Sequence, residues 1–123
     1  MAGAATSRAR GSRPVSSGRN TSICAGPPLG RPKLHVVFHG CQQDAGTPPA
    51  AGGIGADFLL DAGYDRWAVS NRVVILYPQV VGTPLNPRRC WDWWGYSGEG
   101  YLGRGAPQIA AVRAMVARLL DAR

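Results

Sequence analysis

The sequence predicts an α/β fold built on a parallel strand-helix-strand unit followed by a C-terminal helix. Three observations lead to it. Two short runs, "LHVVF" at 34–38 and "VVILY" at 73–77, are almost continuously apolar, as expected of strands covered on both faces. Helical spacing between them returns the second strand beside the first, in what should be a right-handed parallel crossover. Residues 107–120 then repeat apolar side chains at helical intervals.

Taken in order, residues 1–32 are rich in Gly, Pro, Ser and Arg, with turn pairs such as Pro27-Pro28 and Arg31-Pro32. Without apolar periodicity such a segment does not repay the entropy of ordering, so it is expected to be a disordered basic arm. The folded domain should span residues 33–123. In the first strand, residues 33–38, His35 is the one polar interruption after Lys33 and is expected to hydrogen-bond within the sheet. Residues 44–55, with their Gly, Pro and Ala, must be loop.

Residues 56–61 and 64–71 read as helices punctuated by Gly63, with Phe58, Leu59, Ala62 and Trp67 on the buried side. The second strand, 73–77, should stop at Pro78, which has no N–H to donate. A loop over 80–89 and an aromatic cluster over 90–96 precede the last helix. There Pro107 suits the first turn, and Ile109, Val112, Val116, Leu119 and Leu120 share a face. Two strands and two or three helices make half of an open sheet, and half a sheet leaves an apolar edge that something should complete.

A chain of 123 residues, 45% hydrophobic and 8% aromatic, supports one domain with one modest core. Its net charge of +7 would suggest nucleic acid, but Arg8, Arg10, Arg13 and Arg19 place much of the excess in the arm. Binding of single strands by stacking needs cations among the aromatics. Residues 90–101 hold Asp92 and Glu99 and no Lys or Arg, so neither nucleic acid nor, lacking a long apolar run, a membrane is expected as partner. The N-terminus shows no apolar leader of the secretory kind. Cys24, Cys41 and Cys90 form no CxxC pair and have no His at zinc-ligand spacing, so no metal is expected. One disulfide with one leftover thiol fits an oxidising compartment.

Ligands of open parallel sheets sit beyond the carboxyl ends of the strands, and His39-Gly40-Cys41 occupies that place after "LHVVF". Gly40 allows a tight bend, after which the Cys41 peptide N–H is free to point at a substrate carbonyl instead of pairing in the ladder. Spacing alone favours a plain structural turn, since a strand ending in Gly is common.

The strings "LHVVFHGCQQ", "GYDRWAVSNRVVILYPQ", "NPRRCWDWWGYSG" and "APQIAAVRAMV" resemble, in order and spacing, the catalytic domain of extracellular short-chain-length polyhydroxyalkanoate depolymerases, in its type 2, circularly permuted form. The resemblance covers residues 33–123 and implies a partial α/β-hydrolase fold in permuted order. It further implies a serine esterase acting on poly(3-hydroxybutyrate) or a related short-chain ester, without metal or organic cofactor. Cys41 N–H would be the oxyanion donor, with His39 and Gly40 shaping its turn.

By the same resemblance, Cys41 and Cys90 pair in a disulfide, while the partner of Cys24 is left open. Trp91, Trp93 and Trp94 form the substrate wall, with Trp91 nearest the substrate and at least one of Trp93 and Trp94 packed inside. Asp92 orients nearby backbone. In that family the Ser, Asp and His of the triad lie in the half of the domain that precedes this region, and no residue here matches them. Gly95-Tyr96-Ser97-Gly98-Glu99 is an elbow only in outline, with Glu99 in place of the last glycine.

The chain is therefore expected to be the C-terminal half of such an esterase, inactive alone, with a complementary N-terminal half as its partner and an extracellular location. A gene fragment, a frameshift product and a true split subunit all fit. The rival readings are a feruloyl or acetylxylan esterase fragment and a non-catalytic remnant.

Overall fold

The computed structural model describes residues 2–4, 23–24 and 33–121. Two short strands from the expected arm each pair with a later strand: β1 (Ala2–Ala4) and β2 (Ile23–Cys24). The rest of residues 1–32 lies outside the described residues. The chain continues through β3 (Lys33–Val36), α1 (Asp57–Asp61), α2 (Tyr64–Asn71), β4 (Val73–Leu76), β5 (Pro78–Val80) and α3 (Pro107–Asp121).

β3 and β4 are parallel, with His35 opposite Ile75 and Val36 opposite Leu76, as the strand-helix-strand pattern predicts. β4 is the middle strand of three, and β2 pairs antiparallel with its other edge. This short strand covers the edge that an unaided pair would leave open. The two-sided burial expected of both strands holds only for β4. Along β3, Lys33 and His35 are exposed while Leu34 and Val36 are half-buried, because β3 is an edge strand with one face uncovered.

Pro78 does not end the pairing either. It opens β5, which pairs antiparallel with β1, and the first residue of a strand is a place where a missing N–H is tolerated.

The helices fall where the spacing puts them, but the buried side differs. Leu59 and Ala68 are fully buried and Phe58 is half-buried, whereas Ala62 and Trp67 are exposed. Asp65 takes an inward position instead, because its carboxylate accepts the Tyr77 hydroxyl at 3.0 Å. Gly63, at φ 82°, ends α1 and starts α2 in a left-handed conformation that glycine adopts freely. The core gathers Val37, Leu59, Ala68, Val73, Ile75 and Tyr77 between the two helices and β4. Among the described residues His35 does not form the in-sheet hydrogen bond expected of it. Its exposed ring packs on Tyr64 and Trp67, with centroids at 5.6 and 5.9 Å.

α3 starts where Ala106 O accepts the Ala110 N–H at 2.8 Å, which places Pro107 where its missing N–H costs nothing. None of its residues is buried, and Ile109 and Leu120 are exposed. Among the described residues no helix is long and apolar enough to cross a membrane.

Candidate functional site

The ladder between β3 and β4 ends with Val37 N–H donating to Leu76 O at 2.9 Å. His39 follows, buried, and both its ring nitrogens are engaged. Nε2 accepts the Val80 N–H at 3.2 Å, so the ring proton resides on Nδ1, which donates to Gly40 O at 2.6 Å. That carbonyl also accepts the Gln43 N–H at 3.2 Å. Gln42 has φ 59° while Cys41 has no positive φ, which makes residues 40–43 a type II turn. The Gln43 side chain closes it by accepting the Gly40 N–H at 2.9 Å.

The turn fixes one donor. In a trans peptide the C=O and the following N–H point in opposite directions, so holding Gly40 O on His39 aims the Cys41 N–H the other way. Among the described residues that N–H has no hydrogen-bond partner. It stands outside the ladder, which ended at Val37.

The turn is tied to the segment before the aromatic cluster in three ways. Cys41 and Cys90 form a disulfide with Cα atoms 4.2 Å apart. Gln42 N–H donates to Arg88 O at 2.8 Å. The Arg89 guanidinium donates to Asp44 at 2.6 Å, and Asp44 is buried and also accepts from the Thr47 hydroxyl and the Gly46 N–H. Burial works against the Asp44 charge, but the hydrogen bonds from Thr47 and Arg89, the Arg89 charge and the Gly46 N–H outweigh it. They hold its carboxyl below the ordinary carboxylate range.

The sequence offered no sign of this ion pair, since a buried carboxylate in a loop follows no periodicity. Asn86 was missed as well. Buried, it accepts the Cys90 N–H at 2.9 Å and donates to Cys90 O at 2.8 Å, holding the backbone on the far side of the disulfide.

Asp92 orients backbone, as expected of it. Its carboxylate accepts the N–H groups of Gly95, Tyr96 and Ser97 and the Ser97 hydroxyl. Desolvation opposes its charge, but the Ser97 hydroxyl and these N–H donors together lower its pKa. Ser97 Oγ is thereby bonded to a carboxylate and not to a histidine, so it lacks the base that a nucleophile needs. Gln108, in the first turn of α3, accepts the Asp92 N–H at 2.7 Å and donates to the Tyr96 hydroxyl, docking the helix start on the aromatic loop.

The tryptophans divide differently from expectation. Trp91 is half-buried against Phe38 and His39, with centroids at 5.0 and 5.7 Å, and its indole nitrogen is buried without a partner among the described residues. Neither Trp93 nor Trp94 packs inside. They are 72% and 43% exposed, because the Asp92-centred loop turns its polar backbone inward and its indoles outward. Phe38, Trp91, Tyr101, Leu102 and Ile109 line an apolar cleft of about 510 Å3 between the loop and α3.

A parallel pair, a tight turn beyond its carboxyl end and aromatic rings beside that turn define the class as an α/β protein with its candidate site where open parallel sheets hold their ligands. Its relatives make this particular. The chain is 44% identical over 87 residues to a poly(3-hydroxybutyrate) depolymerase of Delftia acidovorans, covering 71% of this chain and 16% of that one. It is 31% identical over 119 residues to a polyhydroxybutyrate depolymerase of Talaromyces funiculosus, covering 88% and 31%.

The crystal structure of the PHB depolymerase from Penicillium funiculosum superimposes with a TM-score of 0.58 at 35% identity, over 66% of this chain and 27% of that chain. A PHB depolymerase with a serine-to-alanine change, complexed with an R3HB trimer, matches equally. No protein-family model matches the chain. The chain is thus related by sequence and by fold to the poly(3-hydroxybutyrate) depolymerases, and it spans less than a third of the length of these relatives.

Proposed function

We propose that this chain forms the C-terminal half of a permuted α/β-hydrolase domain that cleaves poly(3-hydroxybutyrate) or related short-chain polyesters. In this reading the chain supplies the oxyanion donor and part of the substrate wall, and complementary polypeptide supplies the Ser, Asp and His. The attacking hydroxyl adds to the ester carbonyl, and the resulting oxyanion accepts the Cys41 N–H. Collapse expels the alcohol end of the chain, and water then releases the acyl group. Trp91, Trp93 and Trp94 flank the apolar chain. Secretion into an oxidising medium fits the Cys41–Cys90 bond.

The observation that carries this reading is the Cys41 N–H, which has no partner among the described residues and is aimed by the His39 grip on Gly40 O. Loss of one such donor typically costs about 100- to 1,000-fold in kcat. The test is a chimera in which residues 33–123 replace the matching segment of the Delftia acidovorans depolymerase. It should clear a polymer film, and Cys41→Pro should lower kcat by about 100-fold or more. The Cys41→Ser, Cys90→Ser pair keeps the N–H, so in a chimera that circular dichroism shows to be folded despite the lost disulfide it should retain most of the kcat. The isolated chain should not hydrolyse a short-chain nitrophenyl ester. Turnover by the isolated chain that survives Ser97→Ala and disappears in Cys41→Pro overturns the account of a serine supplied from elsewhere.

A further inference from the structure

Two consecutive arginines are used in opposite ways. Arg89, with φ 52°, turns its guanidinium inward to Asp44. Arg88 is exposed and its side chain has no ion pair or hydrogen bond among the described residues. With Cys41, Gln42, Trp93 and Trp94 it lines a depression of about 360 Å3. Trp93 and Trp94 meet edge to face there, with centroids 5.3 Å apart, and present apolar walls to water.

Among the described residues no carboxylate lines this depression. The nearest acid in sequence, Asp92, is occupied by its own loop's N–H groups and by Ser97. The depression thus joins a cation that has no partner among the described residues to an apolar corner, at the edge of the turn that carries the Cys41 N–H.

We infer that it is a subsite for the carboxylate-bearing end of a short hydroxyalkanoate chain, with Arg88 taking the carboxylate and the indoles of Trp93 and Trp94 the aliphatic backbone. An inorganic anion would leave the indoles unused, and an uncharged stretch of polymer would leave Arg88 unused. A short ester with a free acid end satisfies both. This deepens the proposed function, on which it rests for the nearby scissile ester, and it makes chain ends and soluble oligomers the preferred substrates.

The test is a tryptophan-fluorescence titration of the oxidised chain at low salt, with the linear 3-hydroxybutyrate trimer as free acid and as its methyl ester. The acid should bind about five-fold more tightly, the upper range for an exposed ion pair. Arg88→Gln should abolish that preference, Arg88→Lys should keep it, and Trp93→Ala should weaken both ligands. Circular dichroism and disulfide content check that each variant folds.

Equal binding of the two ligands, a preference that persists in Arg88→Gln, or no binding of either overturns the subsite. Acid preference without film clearing by the chimera removes the hydrolase reading and leaves the subsite. Clearing without acid preference does the reverse.

Discussion

The junction between residues 39–47 and 79–90 is closed by contacts whose two sides both come from this chain, whereas α3 and the exposed positions of β3 are left without cover among the described residues. At the junction a disulfide, an ion pair and a backbone hydrogen bond run in parallel, and the Gln79 amide adds a fourth link by accepting the Ala45 N–H at 2.8 Å. On α3 no residue is buried, and Gln108 at its start bonds to the Asp92 N–H and the Tyr96 hydroxyl. The difference separates a region that the described residues close on both sides from a helix that they leave unburied. The turn at residues 40–43 lies in the first region.

The strongest way to break this contrast is to open the junction. The Cys41–Cys90 bond closes a loop of 49 residues. Chain-entropy reasoning puts its stabilisation at about 4 kcal/mol. That is a large share of the stability of a small domain, so reduction or the Cys41→Ser, Cys90→Ser pair should bring the chain close to unfolding at room temperature. Thermal melts with and without dithiothreitol measure this. A melting temperature unmoved by reduction removes the disulfide as the main tie.

The ion pair comes next. Removing Arg89 leaves Asp44 buried without its cation, which should cost about 3 kcal/mol. This is the low end for a buried pair, because the Arg89 side chain is 33% exposed and partly screened. The same contact carries a pH dependence. The Asp44 pKa is depressed on folding, so its contribution is present above the unfolded value near pH 4 and is lost as pH falls through the lower folded value. Urea melts of the native chain should therefore show stability falling from about pH 4 downward, and Asp44→Asn should be less stable at pH 7 but flatter across that interval. A native profile no steeper than that of Asp44→Asn places the acid sensitivity elsewhere.

The two regions were also unequally legible in the sequence. The parallel pair, both helices around Gly63 and the C-terminal helix follow from periodicity and glycine placement, because burial imposes a spacing that the chain displays. His39-Gly40-Cys41 was legible from its position after a strand. The links that hold the turn were not, since Asp44, Gln79, Asn86 and Arg89 lie in loops where a polar side chain's partner is set by tertiary geometry. The expected burial of Trp67, of Trp93 or Trp94 and of both faces of β3 assumed that apolar residues find cover within the chain. The structure leaves them exposed, because among the described residues nothing packs over these positions.

The smallest expected effect is the most discriminating for the open face. Ile109 and Leu120 are 38% and 44% exposed on α3, so replacing either with Lys removes little burial and should change the stability of the isolated chain by no more than about 0.5 kcal/mol. In the chimera the same changes should cost several times more, because a charged side chain would then enter a packed interface without a partner. Urea melts of the isolated chain and film clearing by the chimera read the two halves of this prediction. A large loss already in the isolated chain would mean that its own residues cover α3. No loss in the chimera would mean that the face stays wet in the complete domain. The predicted pattern, near silence alone and damage in the assembly, is expected only of a surface whose contacts are completed by other polypeptide.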